Sequence, residues 1–358
     1  MASESCTIQM ILENLSSTIA VLSEGCSSTS QDLLNAAVDS NFSLSSYWQD
    51  FSEISQRVSC HCTKVCLSFM KPPMPQPQEL SALLMPLDES TKQILMLVRF
   101  LPLACGRELK KCVTTASIAL LQSLSRLLQL AEDHNTPALE TAYTQLTGQT
   151  WGECKAIQSL PCNNVHAVLR ALRLELDVVD DAYREITESL EGDGKGWNVL
   201  KMPRMDADED SDTEESDSEA IGWSPEDKLK LDCFVKVAKA VKLLYKRCLE
   251  VLDSRTKETN PDVFSDNNRQ LWATTDDLRQ STKSLPELLD DLVLSMYPPV
   301  NWDVLVKNSH LVMDVCEAAL SVLLRRQLAT EEHLQSLQFL STALAHTRRK
   351  VDTTAAHG

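Results

Sequence analysis

Ser211 and Ser216 each stand three residues before an acid, Glu214 and Glu219. They lie in a run from Asp206 to Glu219 in which nine of fourteen residues are acidic: Asp206, Asp208, Glu209, Asp210, Asp212, Glu214, Glu215, Asp217 and Glu219. Acidophilic kinases read such acids with basic pockets, and an extended chain is accessible to them. Each phosphate would add about −1.5 to −2 charge at neutral pH. The rival reading is a solvated acidic spacer with inert serines; modification is preferred. Ser224-Pro225 and Thr136-Pro137 offer proline-directed phosphoacceptors, although an N-cap role explains Ser224 equally well.

The same run imitates a calcium loop. Asp208, Asp210, Asp212 and Glu219 fall at positions 1, 3, 5 and 12, but Thr213 stands where the sharp turn needs Gly. A dense acidic run produces this match by accident. Cys60, His61, Cys62 and Cys66 are the other metal candidate. On a helix Cys62 and Cys66 share a face while Cys60 and His61 point elsewhere, so four ligands do not converge. Buried thiols are the preferred reading, and no metal or cofactor is expected. Lys236, Lys239, Lys242, Lys246 and Arg247 recur at helical spacing and form a basic stripe. It is suited to the acidic run or to an acidic partner; an ordinary solvated face is slightly preferred. No glycine-rich phosphate loop, nucleophile elbow or H-E-x-x-H helix is present in the sequence, so no enzyme is expected.

The elements that must carry these residues are helical. Apolar residues recur at three and four along 7–23, 43–70, 78–101, 107–131 and 164–190, with a shorter stretch around Trp151. Pro86 lies within the third and is expected to kink or split it. Residues 191–223 lack this periodicity and hold four of the nine glycines, so a disordered acidic linker is expected. Ser224-Pro225-Glu226-Asp227 then opens a helix, followed by patterns at 266–283, 286–296, 301–326 and 331–351. Leu271, Leu278, Leu285 and Leu292 form a heptad, but Pro286 interrupts it and Ser284 is placed to cap a new helix. Intramolecular core positions are preferred to a dimerising zipper.

The chain of 358 residues thus reads as all-α, with two up-and-down helical bundles, 1–190 and 224–358, joined by the acidic tether 191–223. The net charge of −17 is uneven: 1–190 hold 13 basic and 21 acidic side chains, 191–223 hold 3 and 11, and 224–358 hold 18 and 19. This balance disfavours nucleic acid and anionic membranes as partners. With no visible signal peptide or long apolar run, the cytosol or nucleus is expected, with reduced cysteines.

Three stretches go beyond composition. They are Leu285–Val300, reading LPELLDDLVLSMYPPV; Ser45–Phe69, with Tyr47-Trp48 leading into the proline-rich Pro73–Gln78; and the Phe100-Leu101-Pro102 helix end before Arg107–Leu130. With the central acidic break, they resemble the cyclin-D-binding protein 1 family, also called Grap-and-cyclin-D-interacting proteins. The likeness covers most of 40–190 and 224–350. It implies a two-part helical protein without enzymatic activity, cytoplasmic and nuclear. It further implies negative regulation of cell-cycle progression through D-type cyclin and its kinase, and helix-loop-helix transcription factors as partners. No cyclin-contacting residue carries over. The alternative reading from long helices alone is a cytoskeletal adaptor of the vinculin or α-catenin kind.

Overall fold

A computed structural model describes residues 2–24, 42–70, 75–132, 139–192, 222–258, 265–325 and 328–355. Their regular structure is helical throughout: α1 Ala2–Ser23, α2 Leu44–Phe69, α3 Pro77–Phe100, α4 Arg107–Glu132, α5 Leu139–Gln158, α6 Asn164–Glu191, α7 Pro225–Glu258, α8 Asp266–Thr282, α9 Leu285–Ser295, α10 Trp302–Leu323 and α11 Glu331–Ala355. A 3-10 turn, Leu103–Cys105, separates α3 from α4. The all-α class expected from periodicity is the class observed.

The chain forms two compact units, residues 1–170 with 255–276, and residues 171–254 with 277–358. Their boundaries lie inside α6, α7 and α8, unlike the sequence-based division at 190 and 224. Periodicity marks where helices start and stop; compactness depends on what each turn of a long helix touches. Of the tether 191–223, residues 193–221 lie outside the described residues, while Gly192 and Gly222 on either side of them both belong to the second unit.

In the first unit α1 packs on α3 and α4, and α2 packs on α3 and α5, while α4 also contacts α3 and α5. Each buries one stripe: Ile8, Ile11, Leu15 and Leu22 on α1; Tyr47, Phe51, Ile54, Val58, Cys62 and Val65 on α2; Leu109, Val113, Leu120, Leu124 and Leu128 on α4. Full burial of one such side chain is worth about 1.5–3 kcal/mol. Ser43 caps α2, its Oγ accepting from Ser46 N at 3.3 Å. Ser55 Oγ donates to the Cys154 carbonyl at 2.9 Å, tying α2 to α5 without an orphaned hydroxyl. Helix α5 is longer than the short stretch expected around Trp151. Nor does Pro86 split α3. Pro86 sits on the exposed side, and Ser90 Oγ donates to the Pro86 carbonyl at 2.9 Å.

Helix α4 has no side-chain cap at the residue before it, which is Gly106 at φ +109°. The cap arrives from distant residues. Asp276 Oδ2 accepts from Arg107 N at 2.7 Å, its Oδ1 accepts from Glu108 N at 3.3 Å, and Asn164 Oδ1 accepts from Leu109 N at 3.0 Å. A Cβ on Gly106 would lie 2.0 Å from Asn164 Cγ, so glycine is required by both backbone and space. The Arg107 guanidinium lies 3.8 Å from the Asp276 carboxylate. Burial pushes the Asp276 carboxyl up, against the opposing pull of these donors.

In the second unit α9 packs on α10 and α10 on α11. Arg348 joins the latter pair, with Nη2 at 2.6 Å from Asp314 and 3.0 Å from Glu317. The leucines of the heptad are all buried, Leu271 and Leu278 on α8, Leu285 and Leu292 on α9, with the helix broken at 283–284. They are core positions, as preferred. One detail is corrected: Ser284 is itself in the helical region (φ −87°, ψ −9°), and its side chain makes no cap hydrogen bond. The turn between α8 and α9 is too tight to leave Ser284 in the extended conformation a capping side chain needs.

Candidate interaction surface

The acidic segment leaves and re-enters the second unit at one end of a helix pair. Arg173 meets Asp253 at 2.9 Å, Tyr245 OH donates to Glu175 Oε2 at 3.1 Å, and Lys242 Nζ meets Asp180 Oδ1 at 2.7 Å. Partner numbers fall on one helix as they rise on the other, so α6 and α7 run antiparallel here. The pairing extends to the break, where Lys228 Nζ donates to the Gly192 carbonyl at 3.1 Å. Trp223 fastens the returning chain: its Nε1 donates to the Met296 carbonyl at 2.8 Å, and its ring lies 5.5 Å from that of Tyr297. Tyr297 OH donates to Glu185 Oε1 at 3.1 Å. Residues 193–221 therefore connect two helices of one unit, with both ends held.

Ser224 opens α7 through a reciprocal cap. Its Oγ accepts from Asp227 N at 3.0 Å and donates to Asp227 Oδ2 at 2.7 Å, and that carboxylate also accepts from Ser224 N at 3.1 Å. Ser224 is exposed beside this cap. Ser211, Ser216 and the acids Asp206, Asp208, Glu209, Asp210, Asp212, Glu214, Glu215, Asp217 and Glu219 lie outside the described residues.

The lysines of α7 divide in use. Lys242 is turned toward α6, paired with Asp180 and 5.1 Å over the Tyr183 ring. Lys236 pairs with Asp232 one turn back on its own helix, and Arg247 pairs with Glu250. Lys239 and Lys246 are exposed, as is Lys236. The basic surface is thus Lys236, Lys239 and Lys246, and Lys242 serves the helix pair. Deeper in the unit, Arg279 Nη2 meets Glu175 Oε1 at 2.7 Å, both largely buried. Burial, with the Glu175 charge beside it, pushes the Tyr245 phenol up and keeps it a neutral donor.

The Cys60-His61-Cys62-Cys66 group does not converge. Cys62 and Cys66 are buried, Cys60 is exposed, and burial raises the Cys62 thiol. Among the described residues no group of three or more His, Cys, Asp or Glu side chains is placed to hold a metal. Burial also pushes Cys154 up to about 11 and Cys316 up to about 12, so both remain protonated thiols at neutral pH.

Three exposed apolar side chains lay outside the periodic reading. On α3, Met85, Met96 and Phe100 are exposed while Leu84, Leu87, Ile94 and Val98 are buried. At ~100° per residue, Met85 and Met96 are only ~20° apart around the axis, on the side away from the core. Exposed Glu89 and Lys92 lie between the two methionines on that side, so no continuous apolar stripe marks it in the sequence.

Two family models match the chain: residues 50–192 match the N-terminal model of "Grap2 and cyclin-D-interacting", and residues 206–321 match its C-terminal model. The chain belongs to the Grap2 and cyclin-D-interacting family. Its similar proteins include "Cyclin-D1-binding protein 1 homolog" of Xenopus laevis, 25% identical over 85% of this chain and 87% of that protein. The Danio rerio protein of the same name is 26% identical over 87% and 86%. "Cyclin-D1-binding protein 1" of Homo sapiens is 22% identical over 87% and 84%. The C-terminal family model includes the Leu285–Val300 stretch, which here forms α9 and the turn that receives Trp223. The N-terminal model includes Asn164, and the C-terminal model includes Asp276.

Proposed function

We propose that this member of the Grap2 and cyclin-D-interacting family is a non-enzymatic interaction protein that binds a D-type cyclin. The observation that carries the reading is the match of two consecutive family models, joined to relatives along most of the chain that are named for cyclin-D1 binding. We propose further that it restrains cell-cycle progression through the cyclin and its kinase, in cytoplasm and nucleus, and that helix-loop-helix transcription factors are additional partners. The scaffold suits such work, because long helices with solvent-facing stripes present extended surfaces to partner helices.

Phosphorylation of Ser211 and Ser216 is proposed to tune this binding by adding charge to a segment whose two ends are held on one unit. The deciding measurement is a titration of purified full-length chain against cyclin D1 by calorimetry. Saturable binding is expected; no heat at the highest soluble concentration, alongside saturable co-sedimentation with filamentous actin, would replace this reading with the adaptor one.

A further inference from the structure

The exposed lysines of α7 share one face. At ~100° per residue, Lys236, Lys239 and Lys246 fall within about 80° around the axis. Asp232 pairs with Lys236, and Glu250 takes Arg247 at the edge of the stripe. Lys239 and Lys246 have no ion pair among the described residues, so the weight of the face rests on them. Lys236 and Lys239, three residues apart, repel each other unless a counter-charge comes between them. The second unit also fixes where the acidic segment of the same chain begins and ends. Lys228 Nζ donates to the Gly192 carbonyl at 3.1 Å, and Trp223 Nε1 donates to the Met296 carbonyl at 2.8 Å. Both ends of 193–221 are therefore held at the head of α7, the helix that carries the stripe.

We infer that the occupant of this face is the chain's own acidic run, Asp206–Glu219, which docks on Lys236, Lys239 and Lys246 and competes there with any acidic partner. The charges are complementary, with nine acids in the run and no Lys or Arg among them. The lengths also agree. Measured from the head of α7, Lys236 stands ~16 Å along the axis, Lys239 ~21 Å and Lys246 ~31 Å. A chain laid back along α7 from Gly222 at ~3.3 Å per residue reaches ~17 Å at Asp217, ~23 Å at Glu215 and ~33 Å at Asp212. The other arm, from Gly192 to Asp206, spans up to ~46 Å at the same rise, more than it needs to follow. Each exposed ion pair is weak by itself. Attachment at both ends gives the run an effective concentration in about the mM range, which lets several pairs form together and disfavours the run of a second copy. This contact is independent of which partner the rest of the surface binds.

A water-soluble carbodiimide is the probe, because it joins an amine to a carboxylate only where the two touch. Equal amounts of unlabelled and uniformly ¹⁵N-labelled full-length protein are mixed and treated at about 20 mM and about 500 mM salt, either side of the ~10 Å Debye length at 0.1 M. Linked peptides are quantified by mass spectrometry, with exposed Lys155 and Lys307 as reference amines. At low salt, same-isotope links from 206–219 to Lys239 and Lys246 are expected about tenfold more often than links to the two references. At high salt that excess should fall at least about fivefold. Lys239→Glu together with Lys246→Glu is expected to lower the links to the unsubstituted Lys236 about threefold. Links spread evenly over the lysines, or an excess that salt leaves unchanged, would overturn the assignment. So would a predominance of mixed-isotope pairs, which would seat a second copy's acidic run on the stripe. If circular dichroism shows that the double variant has unfolded, the salt comparison on the unsubstituted protein decides alone.

Discussion

Asn164 Nδ2 donates to Asp276 Oδ1 at 3.0 Å across a sequence separation of 112 residues, and together the two side chains close the open end of α4. Asn164 also donates to the Trp272 carbonyl at 3.1 Å, so its amide is used at both ends. Each partner supports the other's geometry, and neither is near α4 in sequence.

Removing either group orphans buried donors. Asp276→Ala leaves Arg107 N, Glu108 N and Asn164 Nδ2 without this acceptor, and Asn164→Ala leaves Leu109 N without one. At about 1–3 kcal/mol per unsatisfied buried group, each substitution is expected to cost roughly 3 kcal/mol of stability. The double variant should cost less than the sum, because the shared bond is lost only once. Urea unfolding of the four proteins measures this; strict additivity would show that the pair is not coupled.

A fragment ending at 190 lacks Asp276 and the rest of 255–276, which belong to the first compact unit. The expected result is that 1–190 alone melts at lower temperature and with a broader transition than the full chain. Calorimetry of both proteins tests it. A fragment transition as sharp and as high as one in the full chain would restore the sequence-based boundary.

Ser224→Ala removes the Oγ that accepts from Asp227 N at 3.0 Å. A loss of about 1 kcal/mol is expected, the usual worth of an N-cap side chain. Ser224→Asp should restore little of this, because a carboxylate at 224 cannot donate to Asp227 Oδ2, which Ser224 Oγ meets at 2.7 Å, and would face it as a like charge. Thermal melts monitored at 222 nm distinguish the three proteins.

His61 gives the stability a pH dependence. Partial burial lowers its folded pKa below 6.5, with Lys64 and Arg57 adding repulsion. The unfolded chain therefore binds the proton more readily in the interval between the folded value and 6.5. The resulting stability penalty is absent above 6.5 and grows as pH falls through that interval. His61→Gln has no such proton to gain, so its stability relative to the unsubstituted protein should improve from pH 7.5 to pH 5.5. Parallel urea curves at the two pH values test the sign, and an unchanged difference would refute it.

The helices were legible because their code is local. Ile8, Ile11 and Leu15, or Leu120, Leu124 and Leu128, name a face by spacing alone, and all are buried as that spacing requires. The same logic placed the four leucines of the broken heptad in the core. Family membership was legible too, through Leu285–Val300 and the order of the helices around the acidic break.

What spacing could not express is partnership across the chain. Nothing near Gly106 announces that Asp276 and Asn164 will cap α4, because a cap supplied from afar leaves no local pattern. Lys242 looks like its neighbours Lys239 and Lys246 in sequence, and only the approach of α6 turns it inward to Asp180. The sequence alone determined the helices, their buried faces and the family. The tertiary structure decided where the compact units divide, which end of each helix is satisfied by which distant side chain, and which charged groups remain for a partner. Helix formation depends on neighbours within one turn, whereas burial and hydrogen-bond satisfaction depend on whatever folding brings alongside.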